Sequence, residues 1–143
     1  MLGTNDLAND TRARLVPGRA PMLPWLANCV LAARHHGIEI LDGVYNDIAD
    51  ADGFVAECRQ GVEFGFDGKT LIHPSQIAPC NAAFSPSEEE VRQARKMIAA
   101  FELPENKGKG VVSIDGRMVE RLHAEMARRT VLVAEAIGAG TEK

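Results

Sequence analysis

Apolar residues recur at helical spacing in some stretches of the chain and run together in others, so helices alternating with strands are expected. Leu23, Leu26, Val30 and Ala33 fall three and four apart, behind Pro21 and Pro24 and ahead of Gly37. That pattern predicts a helix that opens on prolines and stops at a glycine. Ile38 to Tyr45 is an apolar run of strand length with a polar end at Asn46-Asp47, and Asp50 and Asp52 offer N-caps for a short helix to about Gly61. Phe66-Asp67-Gly68 reads as a turn and Thr70-Leu71-Ile72 as a strand, which Pro74 ends before a further helical stretch.

Ser87 and Glu90 form a capping box, and the helix they open carries Val91, Ala94, Ile98 and Phe101 on one face. Residues 104–110 read as a loop and Val111 to Ile114 as a short strand. Asp115-Gly116 then leads into a final helix with Met118, Leu122, Met126, Val133 and Ile137 in phase. At the other end, Gly3-Thr4-Asn5-Asp6 is turn and cap chemistry opening a helix, with only Met1 and Leu2 in front of it. No internal repeat appears. Alternation of this kind predicts βαβ units and a parallel sheet.

Composition narrows the picture. Hydrophobic residues are 45% of 143, enough for an ordinary core, and the formal net charge of −4 with scattered basic residues argues against nucleic acid. Cys29, Cys58 and Cys80 make no CxxC pair, so reduced, mostly buried thiols are expected rather than zinc or disulfides. No run of about 18 apolar residues exists to span a membrane. The first residues lack an apolar signal segment, and a cytoplasmic location is expected.

Several segments carry a resemblance. Gly3-Thr4-Asn5-Asp6-Leu7, Leu41 to Asp47, Gly65 to Ile77, Phe84 to Ser87, Gly108 to Gly110 and Asp115 to Met118 resemble, in order, the citrate lyase β-subunit and malyl-CoA lyase family of the HpcH/HpaI superfamily. GFDGKTLIHPSQI is the most specific of them. The resemblance implies an α/β fold, the C-terminal part of a TIM (β/α)8 barrel over residues 1–86, with a C-terminal helical extension or lid over 87–143. It implies a Mg²⁺-dependent lyase that cleaves acyl-CoA thioesters of the malyl-, citramalyl- or citryl-CoA type. It also implies subunit contacts, since the family forms trimers and hexamers. Two strands and the loop after a third cannot close a barrel of eight. The chain is therefore expected to be a fragment, or a half whose partner is the missing N-terminal half-barrel. The alternatives are a catalytically inactive half-barrel and a CoA-independent keto-acid aldolase.

By the same resemblance, Asp6 occupies a Mg²⁺-binding position, which suits a metal that prefers hard carboxylate oxygens; by pattern alone, capping of the following helix is the favoured reading. Retro-Claisen cleavage needs an acid/base. The family's aspartate, which reaches into a neighbouring subunit, aligns with Glu120, and Asp115 is the second nearby carboxylate. Asp47 is expected to face the pocket. His73, at a strand end, is a binding candidate whose bland reading is structural. Arg12, Arg14 and Arg19 are candidates for CoA phosphates, with a solvated basic loop as the simpler reading.

Overall fold

A computed structural model describes residues 1–141, and the chain divides into two compact units, Met1–Phe84 and the residues from Ser85 onward. In the first unit the order is α1 (Thr4–Thr11), α2 (Leu23–His35), β1 (Leu41–Asp42), α3 (Ala51–Phe64), β2 (Gly68–Lys69) and α4 (Ile77–Phe84). Short 3-10 turns occupy Pro17–Met22 and Pro74–Gln76.

The α2 stripe packs as its spacing requires. Leu26, Val30 and Ala33 are buried with Met22, Ala8, Ile40 and Phe66, and Gly37 follows in the left-handed region at φ 64°. Asp50 caps α3 by accepting the Gly53 N–H, while Asp52 lies in the first turn. Phe54 and Cys58 on α3 meet Cys80 on α4 in a second cluster.

The strands are shorter than the apolar runs. β1 and β2 pair in parallel over Leu41↔Gly68 and Asp42↔Lys69. The second strand therefore forms at Gly68-Lys69, two residues ahead of the expected Thr70–Ile72. The pairing is prolonged at both ends, where the Asp67 N–H donates to Ile40 O at 2.9 Å and the Thr70 N–H to Asp42 O at 3.0 Å. Leu2 N–H donates to Leu41 O at 2.9 Å, so Met1-Leu2 lies beside β1 on a third strand position. This is α/β architecture with helices dominant and, among the described residues, no closed barrel.

The second unit holds α5 (Glu88–Glu102), β3 (Val111–Ile114), β4 (Arg117–Glu120) and α6 (Arg121–Thr141). Ser87 and Glu90 make both halves of the capping box, with Ser87 N to Glu90 Oε2 at 2.8 Å and Glu90 N to Ser87 Oγ at 3.2 Å. The extension is not wholly helical. Asp115 (φ 51°) and Gly116 (φ 77°) form the two-residue turn of an antiparallel hairpin, with Val111↔Glu120 to Ile114↔Arg117 in register. Two successive positive φ values match strand twist, and Asp-Gly is the dipeptide that adopts them.

Met118 consequently belongs to β4 rather than to the last helix. The expected apolar face of that helix is also displaced: Leu122, Met126 and Ile137 are exposed and Val133 only half-buried, while Ala124 and Ala127 are buried. Small side chains let α6 approach α5 closely, and Phe101, Val112 and Ala124 form the unit's core.

Candidate functional site

Because β1 and β2 run in parallel, the segments that follow them emerge at one end of the first unit, and the Gly3–Asp6 turn joins them there. Thr4 packs directly on Gly43: a Cβ on Gly43 would lie 2.3 Å from Thr4 Oγ1. Beside that contact, the Asn5 and Asn46 carboxamides exchange two hydrogen bonds, at 3.1 and 2.8 Å. The loop after β1 is tied in turn to the segment after β2. Gln76 is buried, donates to Tyr45 O at 3.1 Å and accepts from Ile72 N at 3.0 Å.

Beneath this end lies a buried ionic cluster. Asp42 is fully buried and accepts from Arg19 Nη1 at 2.7 and 2.8 Å, from Lys69 Nζ at 3.1 Å and from Gly43 N at 2.8 Å. Lys69 also bonds Glu57 Oε1 at 2.6 Å, and Arg19 Nε reaches Gln60 Oε1 at 2.8 Å. Two carboxylates face two cations, so the cluster is formally neutral, the condition for holding charge out of water. Arg19 is thus not part of a solvated loop. It is buried, with its backbone in the left-handed region at φ 55°, and it crosses from the 3-10 turn to β1.

Above the cluster opens a cleft of about 770 Å³ whose walls include Thr4, Asn5, Asn46, Asp47, Arg59 and Glu63. Asp47 lines it while accepting the Ala49 N–H at 3.1 Å. Tyr45 donates its hydroxyl to Asp50 Oδ2 at 2.6 Å. That bond, more than desolvation, pushes the phenol up to about 12, and it holds the exposed Asp50 carboxyl below its ordinary value.

Asp6 stands in the first turn of α1 and is exposed. Its Oδ2 occupies the space a side chain on Gly3 would fill, 2.7 Å from an ideal Cβ there. An exposed carboxylate on a turn that only glycine leaves open fits one protein ligand of a Mg²⁺ ion, which commonly takes one or two carboxylates and keeps several waters. It is not a complete cage: among the described residues no three His, Cys, Asp or Glu side chains converge. His73 lies outside the cleft wall. It caps the Pro74–Gln76 turn, its Nδ1 accepting from Ser75 N at 3.2 Å, with Ser75 Oγ 2.8 Å away.

In the second unit Glu120 ends β4 with an exposed side chain, and its N–H donates to His123 Nδ1 at 3.1 Å. Asp115, in the hairpin turn, is paired with Lys96 Nζ at 2.5 Å. The structure brings Asn5, Asn46 and Asp47 to one cleft and leaves Glu120 and Asp115 on the other unit. Sequence reasoning overlooked Glu57 and the Asn5–Asn46 pair. Glu57 had a legible signal: it falls on the same stripe of α3 as Phe54, Cys58 and Gly61, where a charge must find a buried partner. The amide pair had none, being a contact between the first turn of α1 and the loop after β1, 41 residues apart.

The first half of the chain, residues 1–74, matches the family HpcH/HpaI aldolase/citrate lyase. The chain belongs to that family. Its relatives include a (3S)-malyl-CoA thioesterase of Cereibacter sphaeroides, 52% identical over 97% of this chain and 49% of the relative. The L-malyl-CoA/β-methylmalyl-CoA lyase of the same species is 39% identical over 81% of this chain and 37% of the relative. Among solved structures, CitE from Mycobacterium tuberculosis in complex with magnesium, acetoacetate and coenzyme A superposes with a TM-score of 0.70 at 31% identity, over 85% of this chain and 45% of that one. The chain spans about half the length, or less, of the relatives it matches.

Proposed function

We propose that this chain is the C-terminal part of a Mg²⁺-dependent lyase that cleaves the C–C bond of a β-hydroxyacyl-CoA of the malyl- or citramalyl-CoA type. In this reading residues 1–86 form the last units of a (β/α)8 barrel and 87–143 its lid. The observation that carries the proposal is the Gly3–Asp6 turn, which presents an exposed carboxylate at the end of the strand pair. The solved relative bound to magnesium, acetoacetate and coenzyme A supports it, since a metal, a keto acid and the CoA carrier are the partners such a cleavage requires.

Asp6 would hold the ion, and the ion when bound supplies positive charge to the keto-acid end of the substrate. Asp47, on the cleft wall, and His73 are the remaining binding candidates of this unit. Glu120 would take the hydroxyl proton as the C–C bond breaks and return a proton to the thioester enolate. By the family resemblance it would act on a site in a neighbouring subunit. Asp115 is the weaker candidate, because Lys96 already pairs with it.

A second reading is favoured by the thioesterase at 52% identity: hydrolysis of the CoA thioester, with Glu120 activating water. One assay separates them. The chain, alone and with a separately produced upstream half from a relative, is given malyl-CoA with Mg²⁺ or with EDTA. Keto-acid release with the thioester intact supports the lyase; free thiol without keto acid supports the hydrolase. Chelator-insensitive turnover, or none with the upstream half supplied, overturns the metal-dependent reading.

A further inference from the structure

We infer that Asn46 is a positioning residue for the metal-carrying turn, acting through its reciprocal amide pair with Asn5 to hold Asp6 in place. The inference rests on the reading of Asp6 as a Mg²⁺ ligand. Three contacts pin this turn to β1 and its loop: Leu2 N to Leu41 O, Thr4 against Gly43, and Asn5 with Asn46. The first two anchor residues ahead of Asn5. Among the described residues, the amide pair is what ties Asn5, just ahead of Asp6, to the loop after β1, and it does so with two bonds, which fix orientation as well as distance.

Asp6 needs such a neighbour. It is exposed, its carboxylate lies over a glycine, and no bulky side chain packs it in place at Gly3. Asn46 is also suited to the task chemically. A neutral carboxamide donates and accepts at once, so it orients Asn5 without competing for a cation as an aspartate would. Removing groups that orient a metal ligand commonly weakens metal binding by about 10–100-fold. The pair itself is exposed, so its loss should leave the fold standing.

The test uses the full chain, isotope-labelled, with Mn²⁺ as a paramagnetic probe of amide signals from Thr4 to Leu7. In the wild type, Mn²⁺ broadens these signals selectively, and Asp6→Asn abolishes the effect. Asn46→Ala is expected to require about tenfold more Mn²⁺ for equal broadening, with an unchanged melting temperature. Asn5→Ala, which cuts the pair from the other side, gives the same shift and decides the matter if Asn46→Ala proves unstable. The double variant adds nothing further, because both act through one contact. If Asp6→Asn abolishes broadening while neither asparagine variant weakens it, the positioning role is overturned and the metal reading stands. If the wild type shows no broadening that depends on Asp6, the metal reading falls and this inference with it.

Discussion

Asp42 is the residue on which the first unit turns. Its carboxylate is fully buried and answers Arg19, Lys69 and the Gly43 amide. Removing one member leaves an opposite charge in the interior without its partner, which costs about 3–5 kcal/mol. Arg19→Met should therefore lower the urea midpoint sharply, whereas Arg14→Met, on an exposed side chain, should barely move it. Lys69 is a cation in the middle of the GFDGKTLIHPSQI segment. Its partner choice could not be read there, because it depends on the register of β1 with β2 and not on spacing along the chain.

A second residue-scale consequence concerns pH. Burial pushes the Cys58 thiol up to about 12, and burial likewise raises Cys80. In the unfolded chain these thiols ionise near their ordinary value of about 8.5. As pH climbs from there toward 12, the unfolded state binds fewer protons than the folded one, so stability falls. Tyr45, also raised to about 12, acts with the same sign. Denaturant midpoints measured from pH 8 to 11 should decline, and maleimide at pH 7 should label half-buried Cys29 before Cys58 or Cys80. Equal labelling of all three would contradict the buried pair.

At the scale of elements, what could be read from the chain depended on how local the deciding physics was. The α5 capping box and the stop of α2 at Gly37 are set within four residues, and both stand as read. Ser87→Ala should cost about 1 kcal/mol, seen as a lower melting temperature of the second unit. The hairpin was equally local, since Asp115-Gly116 flanked by Val112, Ile114 and Val119 is a strong turn signal. Assigning Met118 to a helical stripe obscured it. Gly116→Val, forced into the left-handed region, should loosen the β3–β4 register, checked by loss of cross-strand amide protection at Val112 and Val119. The apolar stripe of α6 misled for a different reason: small alanines, not large residues, define its packed face. Periodicity gives weight to bulk, while close helix approach selects against it.

On the scale of the whole molecule, the family was legible because its motifs cluster at the turns beside the strand ends, and those turns are local. The candidate residues are less legible, because contacts such as Asn5 with Asn46 join segments far apart in a chain spanning about half of its relatives. Parallel strands are stable when helices cover both faces and further strands cover both edges. Here Leu2 meets one side of β1 and β2 the other, and among the described residues no strand pairs beyond β2. Large apolar side chains stand exposed on the first unit at Leu31, Ile38, Leu41 and Ile72. Such surface favours association. Sedimentation of the isolated chain should therefore show concentration-dependent species. Adding an upstream half from a relative should convert them to a defined complex, with amide protection spreading across Leu41, Gly68 and Lys69. A stable monomer whose protection is unchanged by that addition would show the strand pair to be sufficient alone, and would remove the physical reason for seeking a complementary half.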